Sequence, residues 1–192
     1  MSSKLEIKNM ALQSLGEEAL ASDGEVTKAS VMAETFFLQS LIELLARHDW
    51  VFAHKRAAIS YDVAAPAFGY DYQYLKPSEC VRISSINADK NKLFAEELGK
   101  ILMDDDTCEL LYVSLITEYG LLPPMFVASL SALLASKLAY GLSGGDSKAK
   151  EQLSLYQLYY GEAIAMDKNS GLGVDEETEY GEGVGAWPNR QD

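Results

Sequence analysis

Residues 33–77 read AETFFLQSLIELLARHDWVFAHKRAAISYDVAAPAFGYDYQYLKP, and the apolar period changes inside them. Up to Val51 the spacing is three or four. Ala33, Phe37, Leu41, Leu44, His48 and Val51 line one side of a helix, which Thr27 or Ser30 can cap with a hydroxyl. Phe36, Leu38, Ile42 and Leu45 widen the stripe, so this helix should be covered on more than one side. From Phe68 the spacing is two. Phe68, Tyr70, Tyr72 and Tyr74 alternate with Gly69, Asp71 and Gln73, the pattern of a half-buried strand that Pro77 ends. A chain that switches from one period to the other carries strands beside helices.

Working outward, Leu5, Ile7 or Met10, Leu12 and Leu15 predict a first helix, and Gly16 suits the left-handed residue that ends it. Downstream, Val81, Ile83 and Ile86 suggest a second strand, and Leu111, Val113 and Leu115 a third. Pro123-Pro124 opens a helix with Phe126, Leu130, Leu133, Leu134 and Leu138 on its apolar face. Its alanines permit close helix approach, and Gly141 to Gly145 should end it. A last helix, capped by Asp146 or Ser147, carries Leu153, Tyr156, Tyr160 and Ile164 on one stripe. The prediction is an α+β fold, mainly an α-helical bundle with a small β-rich insertion. Residues 1–61 supply the N-terminal helices, 62–117 the insertion and 118–169 the C-terminal helices. Residues 170–192 form a flexible acidic tail.

Composition limits the function classes. The chain has 192 residues, 48% hydrophobic, with 29 acids against 16 bases and a net charge of −13. A charge-driven nucleic-acid binder needs a basic surface, and so does a protein that binds anionic lipid. From Gly171 onward there are six acids and one base, which leaves the body with 23 acids and 15 bases. No secretory signal is evident at the N-terminus. The most membrane-like stretch, Met125–Leu142, contains Lys137 and three serines and reads as a buried helix.

Catalytic patterns are missing. His48 falls in an apolar helix stripe, and His54 sits beside Lys55 and Arg56. Glu17-Glu18, Glu96-Glu97 and Asp104–Asp106 lack the arrangement of a glycosidase pair or a calcium loop. There is no phosphate loop. Cys80 and Cys108 lack metal spacing and read as small buried hydrophobes. The expectation is no enzyme, and no catalytic, cofactor or metal site.

Several segments, taken in order, resemble a known family. They are ALQSLGEEAL, then ARHDWVFAHKRAAI with its Asp49-Trp50-Val51-Phe52-Ala53 core, then FGYDYQYLKPSECVRI. LLYVSLIT, PPMFVASLSALLASKLAYGLSGG and YQLYYGEAIAMD follow, and the whole spans about residues 5 to 168. Lys76 stands between Leu75 and Pro77, where the family has a Leu-Pro pair, and the acidic tail matches no family motif. The chain is similar in this to the tail tubular protein A family, the head-to-tail adaptors of short-tailed bacteriophages. The resemblance implies a structural virion protein in the tail or neck region, made in the host bacterial cytoplasm. It implies a ring of twelve copies between the portal protein and the tail nozzle protein, with double-stranded DNA passing through without specific binding and no membrane contact. Tyr156, Tyr159, Tyr160, Tyr180 and Trp187 are the candidate interface residues, and Trp50, Phe52, Leu134 and Leu138 the candidate core. A virion-associated cell-wall hydrolase and a nonviral helical interaction module are the alternatives.

Overall fold

Ser3 opens the first helix, α1 (Lys4–Ser14), with a capping box. Its hydroxyl accepts from the Glu6 amide at 3.1 Å, and the Glu6 carboxylate accepts from the Ser3 amide at 2.8 Å. The helix ends in a Schellman turn. Gly16 lies at φ +82°, its amide donates to the Gln13 carbonyl, and the Glu17 amide donates to the Leu12 carbonyl. Thr27 caps α2 (Lys28–Arg47), and Ser30 returns the bond to the Thr27 amide.

The computed structural model describes residues 2–142 and 146–171. After α2 the order is β1 (His54–Ile59), β2 (Tyr72–Leu75), β3 (Cys80–Ile86), β4 (Ala95–Glu97), β5 (Lys100–Met103), β6 (Cys108–Ser114), α3 (Pro124–Leu142) and α4 (Asp146–Gly171). Short 3-10 turns occupy Val51–Ala53 and Tyr119–Leu121. Helix accounts for 49% and strand for 20%, so the class is mixed α+β.

α3 is the centre of the helical layer. Every residue from Ser129 to Ala135 is buried, as expected of a helix covered all round, and α1, α2 and α4 all pack on it. Both α2 and α3 are long and apolar enough to cross a membrane, but α3 is wrapped by its neighbours. Close approach is visible at Gly141, where an added Cβ would clash with the Met32 methyl. α4 is rotated from its expected stripe. Ala149, Gln152, Tyr156, Ala163 and Asp167 are buried, whereas Leu153 is 44% exposed. The buried side of α4 is thus turned from the expected stripe, and Leu153 falls at its edge. Of the expected stop at Gly141 to Gly145, Gly141 and Leu142 are still helical and residues 143–145 lie outside the described residues; of the tail from residue 170, Ser170 and Gly171 are helical and the rest lies outside them.

The strands form two antiparallel sheets, in the orders β1-β6-β3 and β2-β5-β4. β6 serves two cores by its pleat. Cys108, Leu110 and Tyr112 join Tyr74, Ile101 and Met103 between the sheets, while Val113 points into the helical core. Three expectations need correction. β1 begins at His54, inside the stretch assigned to helices, because His54-Lys55-Arg56 is an edge strand with polar side chains. The aromatic alternation does not begin a strand at Phe68: Gly69 at φ +90° breaks the extended backbone, and only Tyr72–Leu75 pairs. The hairpin of β4 and β5 had no period to reveal it, being only three and four residues long.

At the end of β3, Asn87 and Ala88 lie at φ +51° and +61° between Ile86 and its bridge partner Asp89. Left-handed backbone costs alanine about 1–2 kcal/mol, partly offset by the greater entropy of an unfolded glycine. Ala88→Gly should therefore stabilise the protein by about 0.5–1 kcal/mol, read as a raised urea midpoint.

Candidate assembly surface

The end of α2 decides how helices and sheets are joined. A helix C-terminus leaves four carbonyls without partners. Here three are satisfied by side chains from other elements. Trp50 Nε1–H donates to the Leu44 carbonyl at 2.9 Å, Arg82 of β3 donates to Ala46 at 3.2 Å, and the Tyr160 hydroxyl of α4 donates to Arg47 at 3.2 Å. Asp167 of α4 is buried and accepts from the Val51 amide at 3.0 Å, with His48 Nε2 at 3.5 Å from the same oxygen. Trp50 is the hub. Its ring meets His48, Phe126, Phe52 and Tyr160 at centroid distances of 4.8, 5.0, 5.6 and 6.1 Å.

The candidate core residues lie accordingly. Trp50, Leu134 and Leu138 are buried, and Phe52 is half-buried against the same cluster. The tyrosines divide. Tyr156 is only 2% exposed, stacks on Tyr160 at 5.7 Å and lies under the Arg47 guanidinium, so it is a core residue and cannot serve an interface. It packs into the helical core beneath the end of α2. Tyr159 and Tyr160 are half-buried. Tyr180 and Trp187 lie outside the described residues.

Ser84, Asp49 and His54 come together with no motif to mark them, because β1, β3 and the end of α2 meet there. The wiring is not that of a nucleophilic triad. Asp49 Oδ1 accepts from His54 Nε2 at 2.9 Å and also from the Ser84 hydroxyl, while Ser84 Oγ lies 3.5 Å from that same nitrogen. A triad places the acid and the serine on opposite ring nitrogens, so that the imidazole takes the serine proton. Here the carboxylate takes both bonds. Burial pushes the Asp49 pKa up, but the bonds from Ser84 and His54 outweigh it and hold the carboxyl below its usual range. The group fastens β1 and β3 to α2.

The remaining ionisable groups are also tied into structure. Lys8, almost fully buried, holds Asp23 at 2.7 Å and also pairs with Glu34, so α1 is bound to the following loop and to α2. Burial lowers its pKa, and the bonds to Asp23 and Glu34 more than reverse that. Burial pushes the thiols of Cys80 and Cys108 up to about 11, which leaves little thiolate near neutrality. Every carboxyl with a displaced pKa among the described residues (Glu34, Glu43, Asp49, Asp62, Glu79 and Asp105) is displaced downwards. Glu79 is held down to about 2, chiefly by the Lys55 ammonium at 2.8 Å. Such a group stabilises the fold above its ordinary value of 4.5, and that contribution is lost as pH falls towards 2. The urea midpoint should therefore drop steadily from pH 5 to pH 2. Glu79→Gln should flatten the curve.

Among the described residues no group of histidines, cysteines and acids is placed to hold a metal ion. What remains unmatched is apolar surface. Val31, Leu38 and Ile42 form an exposed stripe on α2, opposite its buried face. Val63, Phe68, Leu75, Leu93 and Leu98 are exposed on the β2-β5-β4 unit and its loops. Scattered exposed apolar residues are ordinary, but grouped ones mark contact surfaces. No protein-family model and no curated protein matches this chain.

Proposed function

We propose that the chain is a structural adaptor of a short-tailed bacteriophage, a ring subunit between portal and tail nozzle. The observation that carries this reading is the coexistence of a complete core with two separate exposed apolar surfaces, one on α2 and one on the β-rich unit. A subunit in a closed ring meets two neighbours through different faces, and an adaptor meets further proteins above and below. The resemblance of the ordered segments in residues 5 to 168 supports this choice of assembly. In this reading the four helices act as a bundle and the sheets as an insertion carried on it. Twelve copies surround the DNA, and the chain resides in the neck of the virion.

The net charge fits a conduit. An acidic wall repels duplex DNA and lets it slide, whereas a basic wall would hold it by releasing counterions. A cell-wall hydrolase needs a carboxylic acid whose pKa is raised so that it can give up a proton near neutrality. The six carboxyls with displaced pKa values are each held by a lysine, arginine or histidine of the fold, a structural use that suits an adaptor. Two assays separate the readings. The adaptor should decorate purified portal rings and leave peptidoglycan suspensions turbid. Clearing of the suspension would overturn it.

A further inference from the structure

β1 is hydrogen-bonded on one side only. β6 pairs with it from His54 to Ile59, and no other strand among the described residues lies beyond it. Such an edge holds N–H and C=O groups that can take up another strand. The two faces of β1 differ. Ala57 and Ile59 are half-buried against the core between the sheets, so that core is covered incompletely at this margin. Lys55 shares their face and reaches Glu79 at 2.8 Å. On the other face Arg56 and Ala58 are exposed, and Arg56 is in no ion pair among the described residues.

α4 brings its end to the start of this edge. Asp167 accepts from the Val51 amide at 3.0 Å, and Ser170 borders the same small cavity as Trp50 and Phe52, just before β1. Residues 174–180, Val-Asp-Glu-Glu-Thr-Glu-Tyr, follow at once with the period of a strand. Val174, Glu176, Thr178 and Tyr180 fall on one side, and Asp175, Glu177 and Glu179 on the other. The short link from Gly171 to Val174 reaches about 10 Å, less than the ~17 Å from one end of β1 to the other. The segment can therefore enter only at the His54 end, parallel to β1.

We propose that residues 174–180 of the same chain add to the free edge of β1 as a further, parallel strand of the β1-β6-β3 sheet. Glu177 lies beside Arg56 and Glu176 beside Lys55. Thr178 and Tyr180 cover Ala57 and Ile59 and close the core between the sheets. Charge selects this segment over a neutral strand. Attachment selects the chain's own segment over a separate one, since a short tether gives a local concentration of about 1 mM, which any free strand must exceed. Glu179 falls beside Ala58, two strands and about 10 Å from Glu109, where repulsion is largely screened. The proposal is independent of the adaptor reading and gives Tyr180 a place within its own subunit.

Hydrogen exchange of the full-length protein tests it, beside the double variant Glu177→Pro, Thr178→Pro, because proline has no amide to donate. Wild-type amides of residues 175–180 should exchange about tenfold or more slowly than an unstructured chain, and dilution by about a hundredfold should not change this. The double variant should lose that protection and speed exchange within residues 54–59, while α3 exchanges as before. Wild-type exchange of the segment at the unstructured rate would overturn the proposal. So would unchanged exchange at 54–59 in the variant, which places the segment elsewhere. Protection that is lost on dilution would overturn it too, by assigning the strand to a neighbouring copy. A disulfide pair checks the register. Ala58→Cys with Glu179→Cys should close within one chain about tenfold faster than Ala58→Cys with Glu176→Cys. Equal rates would contradict the proposed pairing.

Discussion

Trp50→Ala should destabilise the protein by about 3–5 kcal/mol, the range for removing a large buried aromatic. Trp50 is 1% exposed, and its loss removes ring contacts to His48, Phe52, Phe126 and Tyr160. It also leaves the Leu44 carbonyl at the end of α2 without its donor. An unpaired buried polar group carries its own cost of about 1–3 kcal/mol, which sets the effect towards the upper end. Trp50→Phe should recover part of the packing but not the indole N–H bond, so its loss should be intermediate. Urea unfolding of the three proteins measures the series. A wild-type midpoint for Trp50→Ala would remove Trp50 from the core.

Leu134→Ala should cost about 2–5 kcal/mol. Leu134 lies mid-way along α3, fully buried, in a stretch where consecutive residues are enclosed on every side. Close-packed helices relax little around a deleted side chain, so the residual cavity persists and adds to the lost transfer energy. Leu134→Met nearly conserves volume and should cost less than about 1.5 kcal/mol. The contrast between the two substitutions reports rigid packing. Equal effects would mean that α3 is not the centre of the fold.

The elements that were legible in the sequence are those whose pattern depends on local burial. Thr27, Pro124 and Gly16 mark helix ends because capping bonds, a fixed proline φ and left-handed backbone are local requirements. The strand β6 is legible because its two faces serve different cores, Cys108, Leu110 and Tyr112 on one and Val113 on the other. β1 was hidden because the edge strand carries Lys55 and Arg56, whose charges mask its alternation. Tyr156 and Leu153 were misassigned for another reason. Period alone gives the apolar sector of a helix, but which edge of that sector is buried depends on how closely the neighbouring helix approaches. The Asp49–His54–Ser84 group is invisible to any motif, since its members are joined only by tertiary contact of three elements.

The exposed apolar surface is legible in part. The wide apolar surface of α2 was readable from Phe36, Leu38 and Ile42, and the structure leaves Leu38 and Ile42 exposed. Leu98 was not readable. A leucine before a glycine is unremarkable until its backbone φ and its exposure are both known. Charge needed the same refinement. The total of −13 argues only against generic, charge-driven binding to nucleic acid, whereas the structure shows where the charges go: most lysines are spent on internal ion pairs.

Electron microscopy of the purified full-length protein mixed with purified portal rings tests the adaptor most directly. The account predicts an added ring of density on one end of the portal and disappearance of free protein at stoichiometric ratio. A protein that remains monomeric in solution alone agrees with the account, since the portal can serve as the template. Bare portal rings beside free protein, at concentrations well above those of assembly, would contradict it.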